Sequence, residues 1–121
     1  MPAPSRSRRQ EAERQGRIAE TLATILLMLK GYRILAQRFR AQGGEIDIVA
    51  KKSGTLIFVE VKKRTSTEAA RLSVTPRNQQ RIRAAANQWL ARKAKRIDVP
   101  IRYDIVAAGT FSLRHFRDAF R

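Results

Sequence analysis

Gly43-Gly44-Glu45-Ile46-Asp47-Ile48-Val49-Ala50, a basic link Lys51-Lys52-Ser53-Gly54, and then Leu56-Ile57-Phe58-Val59-Glu60-Val61-Lys62 decide the fold. Both halves are rich in β-branched and apolar residues, and the Gly-containing link between them suits a β-hairpin. A two-residue turn at Ser53-Gly54 pairs Lys52 with Thr55, Val49 with Phe58, Asp47 with Glu60 and Glu45 with Lys62. One face is then apolar, with Ile46, Ile48 and Ala50 against Ile57, Val59 and Val61, and the other carries the charges. A one-residue slip would break up that apolar set, so the pattern itself supports the register.

In this register the Cβ atoms of Asp47 and Glu60 lie about 4.5–5.5 Å apart. Like charges directly opposite each other destabilise a sheet, so a positive group is expected between them: a divalent ion, a lysine, or both. Mg²⁺ is held by one or two carboxylates, with water and phosphate oxygens completing its shell. Lys62 follows Glu60 on the same face, where an ammonium can orient an attacking water or stabilise charge on phosphorus. An Asp followed by Glu-x-Lys on the next strand is a constellation suited to phosphodiester hydrolysis. The alternative is a solvated face with a Glu45–Lys62 cross-strand ion pair.

GGEIDIVA followed by FVEVKKR resembles the YraN-like family of small bacterial proteins. That family is itself similar to the restriction-endonuclease-like superfamily with its PD-(D/E)xK motif, and to archaeal Holliday junction resolvases. The likeness runs from Gly16 and Glu20 through Gly31-Tyr32, the hairpin, Ser73-Val74-Thr75 and Tyr103-Asp104-Ile105-Val106 to Asp118-Ala119-Phe120. It implies a restriction-endonuclease-like α/β fold. It also implies that Asp47 and Glu60 are metal-binding carboxylates for Mg²⁺ or Mn²⁺, that Lys62 is the catalytic lysine, and that Glu20 is an auxiliary acid and third metal ligand. The family tends to carry Asn where Arg38 stands, and it usually has Lys where Asn78 stands, so a phosphate contact made by that lysine would pass here to a neighbour such as Arg77 or Arg81.

A chain of 121 residues, 43% hydrophobic, fits one domain with one core. Its 26 basic residues against 10 acidic give a net charge of +16, which points to a polyanionic partner, nucleic acid before membrane and DNA first. Arginine outnumbers lysine 19 to 7, which suits bidentate phosphate contacts, although a G+C-rich genome would produce the same bias. No long apolar segment suggests a membrane. The absence of cysteine fits a cytoplasmic protein and excludes thiolate metal sites, and a single histidine argues against zinc. Whether two chains pair as a homodimer to cut two strands is left open.

Residues 1–10 read as a disordered basic arm and residues 11–121 as the domain, either with the arm following phosphates or as a leader with no role. Glu11 to Lys30 is helical, with Ile18, Leu22, Ile25 and Leu29 as its buried stripe and Gly31 as the residue that ends it. Glu20 lies opposite that stripe beside Gly16 and Ala23, where small side chains allow close approach; the alternative is a surface glutamate. Ile34 to Arg40 reads as a strand with Leu35, Gln37 and Phe39 on one side, and Arg38 and Arg40 on the other as candidate phosphate contacts. Lys63 and Arg64 are further candidates, and Thr65 to Ser73 reads as a loop.

Thr75-Pro76 opens a helix to about Ala94, with Ile82, Ala85, Ala86, Trp89 and Leu90 buried. Gln79 or Gln80 could help to orient a water, and Glu45 is a possible auxiliary acid. Ile101 to Ala107 is a strand and Phe111 to Leu113 a short last one, with Asp104 structural and His115 an ordinary packed or exposed ring. The expected order is αβββαβ(β), a mixed sheet flanked by helices.

Overall fold

The computed structural model describes residues 6–93 and 99–121. Its order is α1 (Arg6–Leu29), β1 (Arg33–Ala41), β2 (Gly44–Lys52), β3 (Thr55–Lys63), α2 (Thr67–Leu72), α3 (Pro76–Lys93), β4 (Ile101–Ala108) and β5 (Leu113–Phe120). The strands form one mixed sheet in sequence order. β3 and β4 run parallel, joined by the helical crossover, and the other neighbours are antiparallel. This is the mixed α/β architecture expected, with one helix more.

The extra helix replaces the loop expected between Thr65 and Ser73. Ser66 caps it, its hydroxyl accepting from the Ala69 N–H at 3.0 Å, and Ala70 is buried beneath it. The sequence carried the signal in a Ser cap with Glu68 in the first turn. Five residues of the expected basic arm, Arg6 to Gln10, belong to α1, while residues 1–5 lie outside the described residues. The expected end of α3 at Ala94 also lies outside them.

The hairpin register is the expected one from Lys52↔Thr55 to Ile48↔Val59, but the expected pairs of Asp47 with Glu60 and Glu45 with Lys62 lie beyond the end of the ladder. Its two faces are not the expected apolar and solvated pair, because helices cover both. Ile48, Ala50, Ile57, Val59 and Val61 pack towards Ala19, Ala23 and Leu27 of α1. Val49, Leu56 and Phe58 pack towards Ile82, Ala85, Ala86 and Trp89 of α3. Ile46 departs from its predicted set and joins the α3 side.

α1 is turned away from the expected orientation. Ile18, Leu22, Ile25 and Leu29 are exposed by 46, 46, 48 and 81%, whereas Ala19, Ala23 and Leu27 are buried. Two alanines one turn apart let the helix approach the sheet closely. The helix ends as expected: Gly31 has φ +88°, its N–H reaches the Met28 carbonyl, and the Tyr32 N–H reaches that of Leu27.

β1 carries a bulge between Ile34 and Ala36 and a positive φ of 52° at Arg38. Ile34 therefore faces the α1 side, while Ala36, Phe39 and Ala41 face α3, in place of the simple alternation expected. α3 begins as expected, the Thr75 hydroxyl accepting from Asn78 N–H at 3.2 Å, and buries the expected stripe. β5 runs Leu113–Phe120 in place of the short strand expected at Phe111 to Leu113, leaving Phe111 and Ser112 outside it, and it shifts register beside Tyr103/Ile105, with Asp118 at φ +52°. That irregularity hides its period from a pattern search.

Candidate metal-binding and phosphodiester site

The site forms where β2 and β3 part. Their ladder ends at Ile48↔Val59, and one step further the Asp47 carboxylate enters the gap and accepts the Val61 backbone N–H at 2.8 Å. Asp47 thus fulfils a backbone donor that a continuing ladder would have paired. The Glu60 carboxyl hydrogen-bonds to the Asp47 carboxylate, so the two acids opposed in the predicted register do meet.

Glu60 is 8% exposed. Burial, then the hydrogen bond and the negative charge of Asp47, push its pKa up to about 9, while Lys62 opposes the shift. Two like charges in contact favour a proton on the pair. Lys62 acts on Glu60 from two residues along β3, where the sequence placed it.

Glycine brings α3 to this fork. A Cβ on Gly44 would stand 1.9 Å from the Arg81 carbonyl oxygen, so only glycine lets β2 begin against that helix. Beside it, Glu45, Thr75, Arg77, Asn78 and Arg81 line a cleft of about 250 Å³. Glu45 pairs at 3.8 Å with Arg40 across β1, in place of the alternative pair with Lys62.

Glu20 is not brought into the carboxyl pair. Its carboxylate accepts from Arg38 Nε at 2.8 Å, and among the described residues no three acid, histidine or cysteine side chains converge as a metal-holding group. Arg38 lies within the field of Glu45 and Asp47 as well as bonded to Glu20, so it is a counter-charge to acids before it is a phosphate contact. Its positive φ is the local departure that β1 periodicity could not reveal.

Other predicted residues separate into two groups. Lys63 Nζ donates to the Gly109 carbonyl at 3.1 Å, Arg64 donates to the Lys63 carbonyl at 2.7 Å, and Gln79 donates to the Val74 carbonyl at 3.3 Å. These three stitch loops and a helix start together. Arg38 and Arg40, in contrast, join Arg92, Lys93, Phe39 and Trp89 around a groove of about 700 Å³. Arg92 and Lys93, in the last turn of α3, are additions to the expected phosphate contacts.

The donor set suits a hard divalent ion. Asp47 and Glu60 offer adjoining carboxyl oxygens whose mutual repulsion is relieved here by a proton, the role a cation would otherwise take. Two carboxylates are the number that such an ion commonly takes from protein.

Comparison with known proteins places the chain. The model of the uncharacterised protein family UPF0102 matches residues 19–108, which contain α3, the hairpin and β4. A UPF0102 protein of Rhizobium johnstonii is 53% identical over 113 residues, covering 93% of each chain. One from Rhodopseudomonas palustris is 50% identical over 120 residues, covering 98% of this chain and 90% of its own. With a family model spanning the fork between β2 and β3 and relatives matched over nearly their full length, the chain belongs to the UPF0102, or YraN-like, family.

Proposed function

We propose that this protein is a metal-dependent nuclease that hydrolyses phosphodiesters in DNA, branched or distorted DNA included. One observation carries the reading: Asp47 and Glu60 are joined at the mouth of a split hairpin with Lys62 acting on the same carboxyl. Asp47 and Glu60 would hold Mg²⁺ or Mn²⁺, which when bound would supply Lewis-acid polarisation of the phosphate and an acidified water. Lys62 offers a cation to the charge that builds on the phosphoryl oxygens. Arg77 and Arg81 on one flank, and Arg38, Arg40, Arg92 and Lys93 on another, would bind the phosphate backbone.

A second reading is a nucleic-acid-binding or ribosome-associated accessory protein without cleavage activity. The engagement of Glu20 by Arg38, which leaves two acids at the fork, favours it. Labelled duplex, single-stranded, flapped and four-way DNA, and RNA, incubated with Mg²⁺, Mn²⁺ or chelator, separate the two. The expected result is metal-dependent cutting by the wild type, abolished in Glu60→Gln and Lys62→Ala while binding persists. Lys62→Ala removes one cation among 26, a small loss to binding but the loss of a transition-state contact. A wild type that binds these substrates and cuts none would establish the accessory reading.

A further inference from the structure

On the α1 side of the sheet the electrostatic situation is reversed, around Asp104, which pairs with Val59 one residue along β3 from Glu60, and out to Lys52, five residues along β2 from Asp47 and so about 16 Å away. Asp104 is fully buried and accepts Arg102 through both carboxylate oxygens at 2.8 Å, the Asp118 N–H at 2.9 Å and His115 Nε2 at 2.7 Å. A carboxylate has about four acceptor positions, and all are taken. Burial alone would raise its pKa, yet the bonds from His115, Arg102 and the Asp118 N–H outweigh that and hold it at about 2.

Lys30 Nζ lies 2.6 Å from His115 Nδ1. An ammonium can only donate, so Nδ1 accepts from Lys30 and Nε2 faces Asp104. Lys30 therefore has a ring nitrogen as its partner where a carboxylate would be usual. Lys52 donates to the Lys30 carbonyl at 2.7 Å and sits 4.8 Å over the Tyr32 ring. Arg102 lies 5.8 Å from the same ring and donates to the Tyr32 hydroxyl at 2.6 Å. Burial, then the charges of Arg117 and Lys52, lower the pKa of Lys30.

Lys30, Lys52 and Arg102 thus stand with one saturated carboxylate, a formal excess of two positive charges, and Arg117 adds its field at Lys30. The C-terminal end of α1 offsets only about half a charge. Lys30 and Lys52 are held close by a ring, a carbonyl and an imidazole, none of which neutralises them, so an incoming anion relieves repulsion that the fold otherwise bears.

We propose that Lys30 and Lys52, arranged around Tyr32 and His115, form a binding site for a phosphate group, separate from the Asp47–Glu60 fork. Phosphate matches the charge excess and offers several acceptor oxygens to ammonium and guanidinium donors. It can come from a free phosphate or from a nucleic acid, as a terminal monoester or a backbone diester. The site does not depend on nuclease activity.

The single histidine is a built-in reporter. In the full chain labelled with ¹⁵N-histidine and titrated with inorganic phosphate, the His115 Nδ1 resonance is expected to move saturably as Lys30 turns towards the anion. By calorimetry, Lys30→Met and Lys52→Met should each weaken phosphate about tenfold. Oligonucleotides with and without a 5′-phosphate identify the source. A preference for the phosphorylated one that both variants lose assigns a terminal phosphate, and equal weakening of both oligonucleotides assigns the backbone. His115 signals that stay fixed at saturating phosphate, or variants that bind all three probes as the wild type does, would overturn the proposal.

Discussion

Glu60 is the residue on which the site turns, and its protonation has a sign that can be checked. Its folded pKa of about 9 lies above the ordinary 4.5, so between those values the native state keeps a proton that the unfolded chain has released. Its contribution to stability is complete below about pH 4.5 and drains away as pH rises towards 9, at up to about 1.4 kcal/mol per pH unit. Glu60→Gln removes this titration. Melting temperatures followed from pH 6 to 9 should fall more steeply in the wild type than in Glu60→Gln, and Mg²⁺ should narrow the gap most at the alkaline end, where binding no longer has to displace the proton. Parallel profiles in the two proteins would mean that Glu60 ionises normally.

At the scale of elements, α1 shows how much a stripe leaves undecided. It has two apolar faces, and the sheet takes the one with small residues because Ala19 and Ala23 allow Leu27 to be fully enclosed against Ile48, Ile57 and Val59. Leu27→Ala should therefore cost about 2–5 kcal/mol through the cavity it leaves. Leu29→Ala, at 81% exposure, should stay within about 0.5 kcal/mol. Chemical denaturation of the two variants measures the difference, and equal losses would place α1 in the orientation that the larger side chains suggest. Periodicity reports that a helix has an apolar side; closeness of approach selects which side is buried.

For the whole molecule, the charge of +16 is not spread evenly. Arginines and lysines gather at the groove beside β1, at the cleft beside α3 and around Tyr32. Contacts from about six of them would release enough counterions to weaken duplex binding roughly a thousandfold between 50 and 200 mM salt. Fluorescence anisotropy over that range tests this, and an affinity nearly independent of salt would remove the polyanion from the account. Among the described residues no helix is long and apolar enough to cross a membrane.

The sequence alone determined the hairpin, its register, the Thr75-Pro76 helix with its buried stripe, and the meeting of Asp47 with Glu60. Each depends on residues near in sequence or on a period of 2 or 3.6, which the chain displays directly. Only tertiary structure decided that both faces of the hairpin are covered, that Asp47 closes the parting of β2 and β3 by taking the Val61 N–H, and that Arg38 holds Glu20 away from the pair. It also decided that Asp104, His115 and Lys30 form one chain of hydrogen bonds from β4 through β5 to the turn after α1. The physical reason is the same throughout: a bulge, a positive φ or a glycine against a helix carbonyl re-aims side chains by several ångströms, and no local pattern records where the re-aimed group will find its partner.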